Sequence, residues 1–212
     1  MMSLLYQELL IQHRVYHLIK YIFIFLVFCL ISTSLISAPE ELEKLGVALS
    51  VIYIPLMFLG LVPNIIRQDL DDGSLELLLT NSLAIKIITA KFLVLSTNAI
   101  LSFVAILPLI ALLFNIELID ILVLLAVALI LVVQSAALII LIAAIQSYFK
   151  SNTNFFAIMI MPLIIPNIIL AGILIAHNGD MQLLTIMSGI DLVILPPCLF
   201  LASYLVENIY NI

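Results

Sequence analysis

His13 and His17 stand four residues apart, a spacing that sets two imidazoles on one helix face for a metal or a haem iron. No third ligand follows nearby, and beside Arg14 and Lys20 the pair reads as interfacial. His177, in "AHNGD", reads as a loop residue. None of the three is expected to be an obligatory haem ligand. Cys29 and Cys198 sit in apolar runs without a Cys-x-x-Cys neighbour, so neither a disulfide nor thiol chemistry is expected. The stretch "IMSGI" puts Ile186 where a Gly-x-Ser-Gly nucleophile motif needs glycine, no His follows His177, and a pair of intramembrane Asp residues is missing. There is no His-Glu-x-x-His and no phosphate-binding loop. The expectation is a protein with no catalytic, metal or cofactor-binding residues of its own, and ATP, if used, bound by another chain.

The densest polar stretch is "RQDLDDGSLELLLTNS", Arg67 to Ser82. Asp71, Asp72 and Ser74 are capping types, Gly73 permits an entry turn, and Asp72 and Glu76 put negative charge where a helix dipole is positive. Leu75, Leu78 and Leu79 then recur at i, i+3, i+4. Two readings of this short apolar face stand side by side: packing on the rest of the chain, or docking in a groove on a partner.

The elements that carry these residues follow from composition. Of 212 residues, 66% are hydrophobic and 9% charged, with a mean hydropathy of +1.38, far from the soluble norm of about a quarter charged. Seven basic residues scattered along the chain form no nucleic-acid-binding patch. A bilayer core needs about 20 apolar residues per helix. Six segments qualify, near Tyr21 to Ala38, Leu45 to Ile66, Phe92 to Phe114, Ile121 to Gln146, Phe155 to Ala176 and Leu183 to Val206. Together they make an all-α, single-domain membrane bundle over residues 1–212. The first is expected to stay as a helix and not be cleaved as a signal, since Ile36 and Pro39 suit no cut after Ala38. The sixth carries Asp191 and Pro196-Pro197, so it is expected to be interrupted, to begin after Asp191 or to follow a re-entrant piece.

With the N-terminus inside, Arg14, Lys20, Arg67, Lys86, Lys91 and Lys150 are cytoplasmic and only Lys44 is outside, so both termini and a 67–91 loop are expected in the cytoplasm. Residues 1–20 read as an interfacial helix on membrane lipid, with Leu4, Leu5, Leu9, Tyr16 and Ile19 on one face and Gln7, Glu8 and His13 largely elsewhere. Asn98, Gln134, Gln146 and Asn167 are expected to hydrogen-bond across helices. Pro162 and Pro166 should kink the fifth span and make it a candidate hinge.

"RQDLDDGSLELLLTNSLAIKIITAKFL" resembles the haem exporter B family, the permease subunit of the ABC-type complex of cytochrome c maturation. The family's Asp-Gly-Ser-Leu-Glu run corresponds to Asp72 to Glu76, its Leu-rich turn to Leu77 to Leu79, and its Ala-Lys to Ala90-Lys91. "IMPLIIPNIILAG" is similar to its Pro-Leu-x-Ile-Pro segment at Pro162, Leu163, Ile165 and Pro166. Thr80-Asn81-Ser82 departs from the family's usual proline after the turn.

The resemblance covers essentially the whole chain. It implies an ABC-2-like permease in a bacterial or mitochondrial inner membrane, with the termini on the cytoplasmic or matrix side. It also implies three protein partners: an ABC ATPase subunit, a haem-handling membrane subunit and a periplasmic haem chaperone. ATP hydrolysis releases the haem-loaded chaperone in this picture, and haem is a substrate of the complex. Asp71, Asp72, Gly73, Ser74, Leu75, Glu76, Leu78 and Leu79 would then form the ATPase-coupling helix. A generic lipid or drug exporter permease and a non-transporting scaffold of the haem-handling complex are the alternatives.

Overall fold

The computed structural model describes residues 5–6, 8–10, 18–36, 42–59, 65–150, 161–176 and 180–209, and every element among them is helical. They are α1 (Leu18–Ile36), α2 (Leu42–Leu59), α3 (Arg67–Asp71), α4 (Ser74–Asn81), α5 (Ala84–Phe114), α6 (Leu118–Tyr148), α7 (Ile165–Ala176) and α8 (Met181–Glu207), with a 3-10 turn at Met161–Leu163 before α7. Residues 5–6 and 8–10 are helical as well. An apolar chain of this composition must satisfy its backbone within each segment, and the helix does so locally. Three helices, α5, α6 and α8, are long and apolar enough to cross a membrane, and α1, α2 and α7 contain shorter apolar stretches.

At the centre stands α6, touching α2, α5, α7 and α8. Its residues Ala136, Ala137, Ala143 and Ala144 are fully or almost fully buried, and such small side chains let neighbouring backbones approach. At the end of α5, Asn115 takes the left-handed conformation (φ 51°) that stops a helix, and Ile116 and Glu117 lead directly into α6. A hydroxyl pair, Thr33 with Tyr53 at 2.6 Å, joins α1 to α2. Near the start of α2, Gly46 lies so close to the Phe114 ring that a Cβ there would fall 2.2 Å from it. Cys29 and Cys198 are free thiols.

Two expectations need correction, and a third, on the fifth span, is met only by the residues after Met161. α8 runs unbroken through Asp191, Pro196 and Pro197. Its prolines interrupt the internal hydrogen bonding without ending it, because helical neighbours hold the rest of the turn. The prolines of "MPLIIP" do not kink a helix among the described residues: Pro162 lies in the 3-10 turn and Pro166 is the second residue of α7. A missing N–H is harmless in a first helical turn, so here proline opens a helix. Finally, α5 starts at Ala84, which places Lys86 and Lys91 inside a helix and not in a loop. At about 1.5 Å per residue, its 31 residues reach about 46 Å, beyond a hydrocarbon core of about 30 Å.

Candidate functional site

The acidic stretch folds as a helical hairpin. α3 ends at Asp71, and Gly73 then takes φ 71°, ψ 1°, a left-handed conformation that glycine adopts without Cβ strain. The 8-residue α4 begins immediately after it. Gly73 itself is the N-cap, with no side-chain capping bond, so Asp71 and Asp72 do not cap α4 as their residue types suggested. Asp71 instead lies 3.7 Å from Arg67, one turn back, and the Ser74 hydroxyl donates to the Asp69 carbonyl at 3.3 Å.

The i, i+3, i+4 face of α4 points inward. Leu75 is 1% exposed and belongs to the core, and Leu78 and Leu79 are half-buried. A hairpin resting on a large apolar bundle turns its leucines toward that bundle, so Leu75 is withdrawn from any surface offered to a partner. The outward face is Glu76, Leu77, Thr80 and Asn81, with Asp71, Asp72 and Gly73 at the tip. Leu77 is 68% exposed, an apolar side chain on an otherwise polar face.

What holds the hairpin is a buried ion cluster. Lys91 of α5 is 0% exposed. Its ammonium lies 2.5 Å from Oδ2 of Asp69 on α3 and 3.1 Å from both Oε1 and Oε2 of Glu8. An ammonium has three N–H donors, and three carboxylate oxygens lie within its reach. One side chain of α5 therefore ties the hairpin and the N-terminal segment to the bundle. Residue 8 was expected on the polar outer face of the entry helix, but Glu8 is buried while Leu9 and Tyr6 are exposed. Counterions explain the inversion: a carboxylate can be buried where an ammonium meets it.

A second polar chain links α6, α7 and α8. The Asn167 amide donates to Gln134 Oε1 at 3.1 Å and to Asp191 Oδ1 at 2.8 Å, and Gln134 donates to the Leu163 carbonyl at 3.2 Å. Asn98 and Gln146 are buried too. This chain ties the proline-opened start of α7 to its neighbours, and it answers to the cross-helix role expected of Gln134 and Asn167. His13, His17 and His177 lie outside the described residues, as do Leu4 and Tyr16 of the expected entry helix.

The far end of α8 comes back to the hairpin. Glu207 lines a groove of ≈ 390 Å³ together with Glu76, Leu79, Thr80, Leu83 and Ala84. The N-terminal segment, the hairpin and the end of α8 thus share one end of the bundle.

Sequence signals for the ion cluster existed in part. Asp69 and Lys91 stand in the stretch already singled out, and the alanine-lysine pair was noted, yet nothing in one dimension joins them to Glu8. Comparison with known proteins gives a family match, described as CcmB protein, over residues 1–205. An uncharacterized protein of Rickettsia conorii is 43% identical over 209 residues, 99% of this chain and 97% of the relative. A second uncharacterized protein, from Rickettsia prowazekii, is 40% identical over the same proportions.

Proposed function

On the premise that the chain belongs to the CcmB family, we propose that it is the membrane permease subunit of an ABC transporter complex for cytochrome c biogenesis. It couples a separate ATPase subunit to its membrane helices and performs no catalysis itself. The six apolar segments cross the inner membrane, with both termini and the α3–α4 hairpin in the cytoplasm. The partners are the ATPase, a haem-handling membrane subunit and a periplasmic haem chaperone, and ATP hydrolysis releases the haem-loaded chaperone.

The observation that carries this reading is the match over nearly the whole length, because it covers the hairpin and the residues that hold it. Pinned to α5, the hairpin suits load transfer: a push on its outer face reaches a 31-residue helix through a buried ammonium and not through a flexible loop. Among the described residues no three His, Cys, Asp or Glu side chains converge on a possible metal position. The coupling surface is Asp71, Asp72, Glu76 and Leu77, with Gly73 and Ser74 shaping the turn and Leu75, Leu78 and Leu79 seating it.

The test is deletion of the gene with restoration by the wild-type chain, together with recovery of the ATPase on the tagged protein in mild detergent. Loss of c-type cytochromes, their return on complementation and co-recovery of an ATPase are the expected results. Normal c-type cytochromes in the deletion strain would refute the assignment and favour a general exporter permease.

A further inference from the structure

The groove between α4 and the end of α8 has a character of its own. Glu76 stands on one wall and Glu207, 131 residues later, on the other. Both side chains are exposed, and among the described residues neither makes an ion pair. No basic residue lines the groove: Arg67 faces Asp71, Lys91 is buried in its cluster, and Lys86 is exposed on α5. The lining also holds Leu79, Leu83 and Ala84 beside the hydroxyls of Thr80 and Ser82, and Leu83 is among the exposed large apolar side chains. Pockets that enclose a small organic ligand start at about 300 Å³. This one, open and near that limit, suits one or two side chains of a protein partner.

The geometry points to a second ATPase contact: the groove receives a basic segment of the ATPase subunit, an Arg or Lys between Glu76 and Glu207 with its stem over Leu79 and Leu83. This rests on the coupling reading above and adds to it a residue from the last helix, so that the ATPase touches α4 and α8 at once. Charge complementarity fixes the occupant's sign, since two carboxylates without an ion pair among the described residues, beside the aliphatic Leu79 and Leu83, match a long cationic side chain with an aliphatic stem.

The experiment recovers the ATPase on the tagged full-length chain from membranes holding the intact complex, at low and at high salt, normalised to the amount of permease. Glu207→Lys should lower recovery at least about tenfold at low salt, because like charges then face each other. The deficit should narrow as salt screens both. Glu207→Gln should fall between, and an acidic replacement of the contacting Arg or Lys in the ATPase should restore binding to Glu207→Lys. Leu77→Asp is run in parallel, on the face that the coupling reading itself requires. If Leu77→Asp loses the ATPase and Glu207→Lys recruits normally, the groove proposal is overturned and the coupling reading stands. If both recruit normally, both fail. A salt-independent loss that follows a lower level of Glu207→Lys in the membrane also overturns it, as a folding effect. If a chain ending at Ile209 loses thermal stability but recruits normally, and Glu207→Lys does the same, the occupant is the chain's own tail and the proposal is overturned.

Discussion

Lys91→Met tests the ion cluster most directly. The substitution keeps an unbranched stem of similar length and removes the ammonium that lies between two buried carboxylates. Glu8 and Asp69 are 7% and 6% exposed in their side chains, so neither can recover full hydration in place. With the ammonium, the three groups sum to one negative charge; without it they sum to two, facing each other. Breaking a buried ion pair by removing one partner costs about 3–5 kcal/mol. Glu8 has an escape, because the N-terminal segment can undock and return its carboxylate to water, which sets the expectation near the lower figure. Glu8→Gln leaves the Lys91–Asp69 pair and an amide oxygen in position, so it should cost only about 0.5–1.5 kcal/mol. Lys91→Met with Glu8→Leu and Asp69→Leu should recover much of the loss, since apolar replacements of a whole buried cluster are often neutral.

Two readouts separate these effects. The first is the thermal unfolding midpoint in mild detergent, where about 3 kcal/mol corresponds to a fall of about 6–12 °C for a chain of this size. The second is maleimide labelling of a cysteine placed at the half-buried Leu10, in a Cys29→Ala, Cys198→Ala background, which should speed up in Lys91→Met as the segment undocks. A Lys91→Met protein that melts with the wild type and labels at the same rate would show that the cluster fastens nothing.

Three further outcomes follow from single positions. Gly73→Ala should destabilise by about 1–2 kcal/mol, the cost of a left-handed backbone in a residue with a Cβ, and by little else, because among the described residues nothing beyond its chain neighbours lies within 4 Å of the added carbon; equilibrium unfolding beside Gly73→Asn, which tolerates that conformation better, checks it. Gly46→Ala drives a methyl group into the Phe114 ring and should cost about 1–3 kcal/mol as overpacking, partly relieved in the Gly46→Ala, Phe114→Leu double variant when both are melted side by side. Leu75→Asp puts a charge in the core and should lower the membrane level of the protein, whereas Leu77→Asp should leave that level intact and reduce ATPase recovery. Immunoblots of membranes beside the pull-down read both, and equal behaviour of the two variants would contradict the orientation of α4.

The helices were legible because an apolar chain has few ways to satisfy its backbone. Each expected span meets a helix in the structure, and the Asp-Gly-Ser-Leu-Glu run announced both the turn and the helix after it. Boundaries failed where polar groups found partners that the sequence could not display. Lys91 looked like a loop residue that fixes orientation, since a lone lysine is unwelcome in a span, but two carboxylates from elsewhere let α5 begin at Ala84. Pro196 and Pro197 looked like an interruption, yet the helix continues on both sides of them. The prolines of "MPLIIP" fall at a 3-10 turn and in the first turn of α7, where a missing N–H is harmless, and the part of the expected fifth span ahead of Met161 lies outside the described residues.

The orientation of α4 was illegible for a different reason. Leu75, Leu78 and Leu79 define an apolar face whichever way it points, and periodicity cannot say whether the apolar counterpart is a partner or the rest of the chain. Burial of Leu75 turns that face to the rest of the chain, so on the coupling reading the docking surface is Glu76, Leu77 and the aspartates at the tip. A hairpin seated on leucines and anchored by Asp69 to Lys91 has little freedom to deform under load. A force applied at Leu77 or Glu76 then reaches α5 through the Asp69–Lys91 pair, whose rupture costs several kcal/mol. On the coupling reading, Lys91 is what makes the hairpin a lever and not a cushion. A permease with Lys91→Met should then still recruit its ATPase through an intact outer face while failing to turn hydrolysis into chaperone release. Recruitment and release lost in equal proportion, at a normal membrane level, would show that the cluster serves only to fold the docking surface.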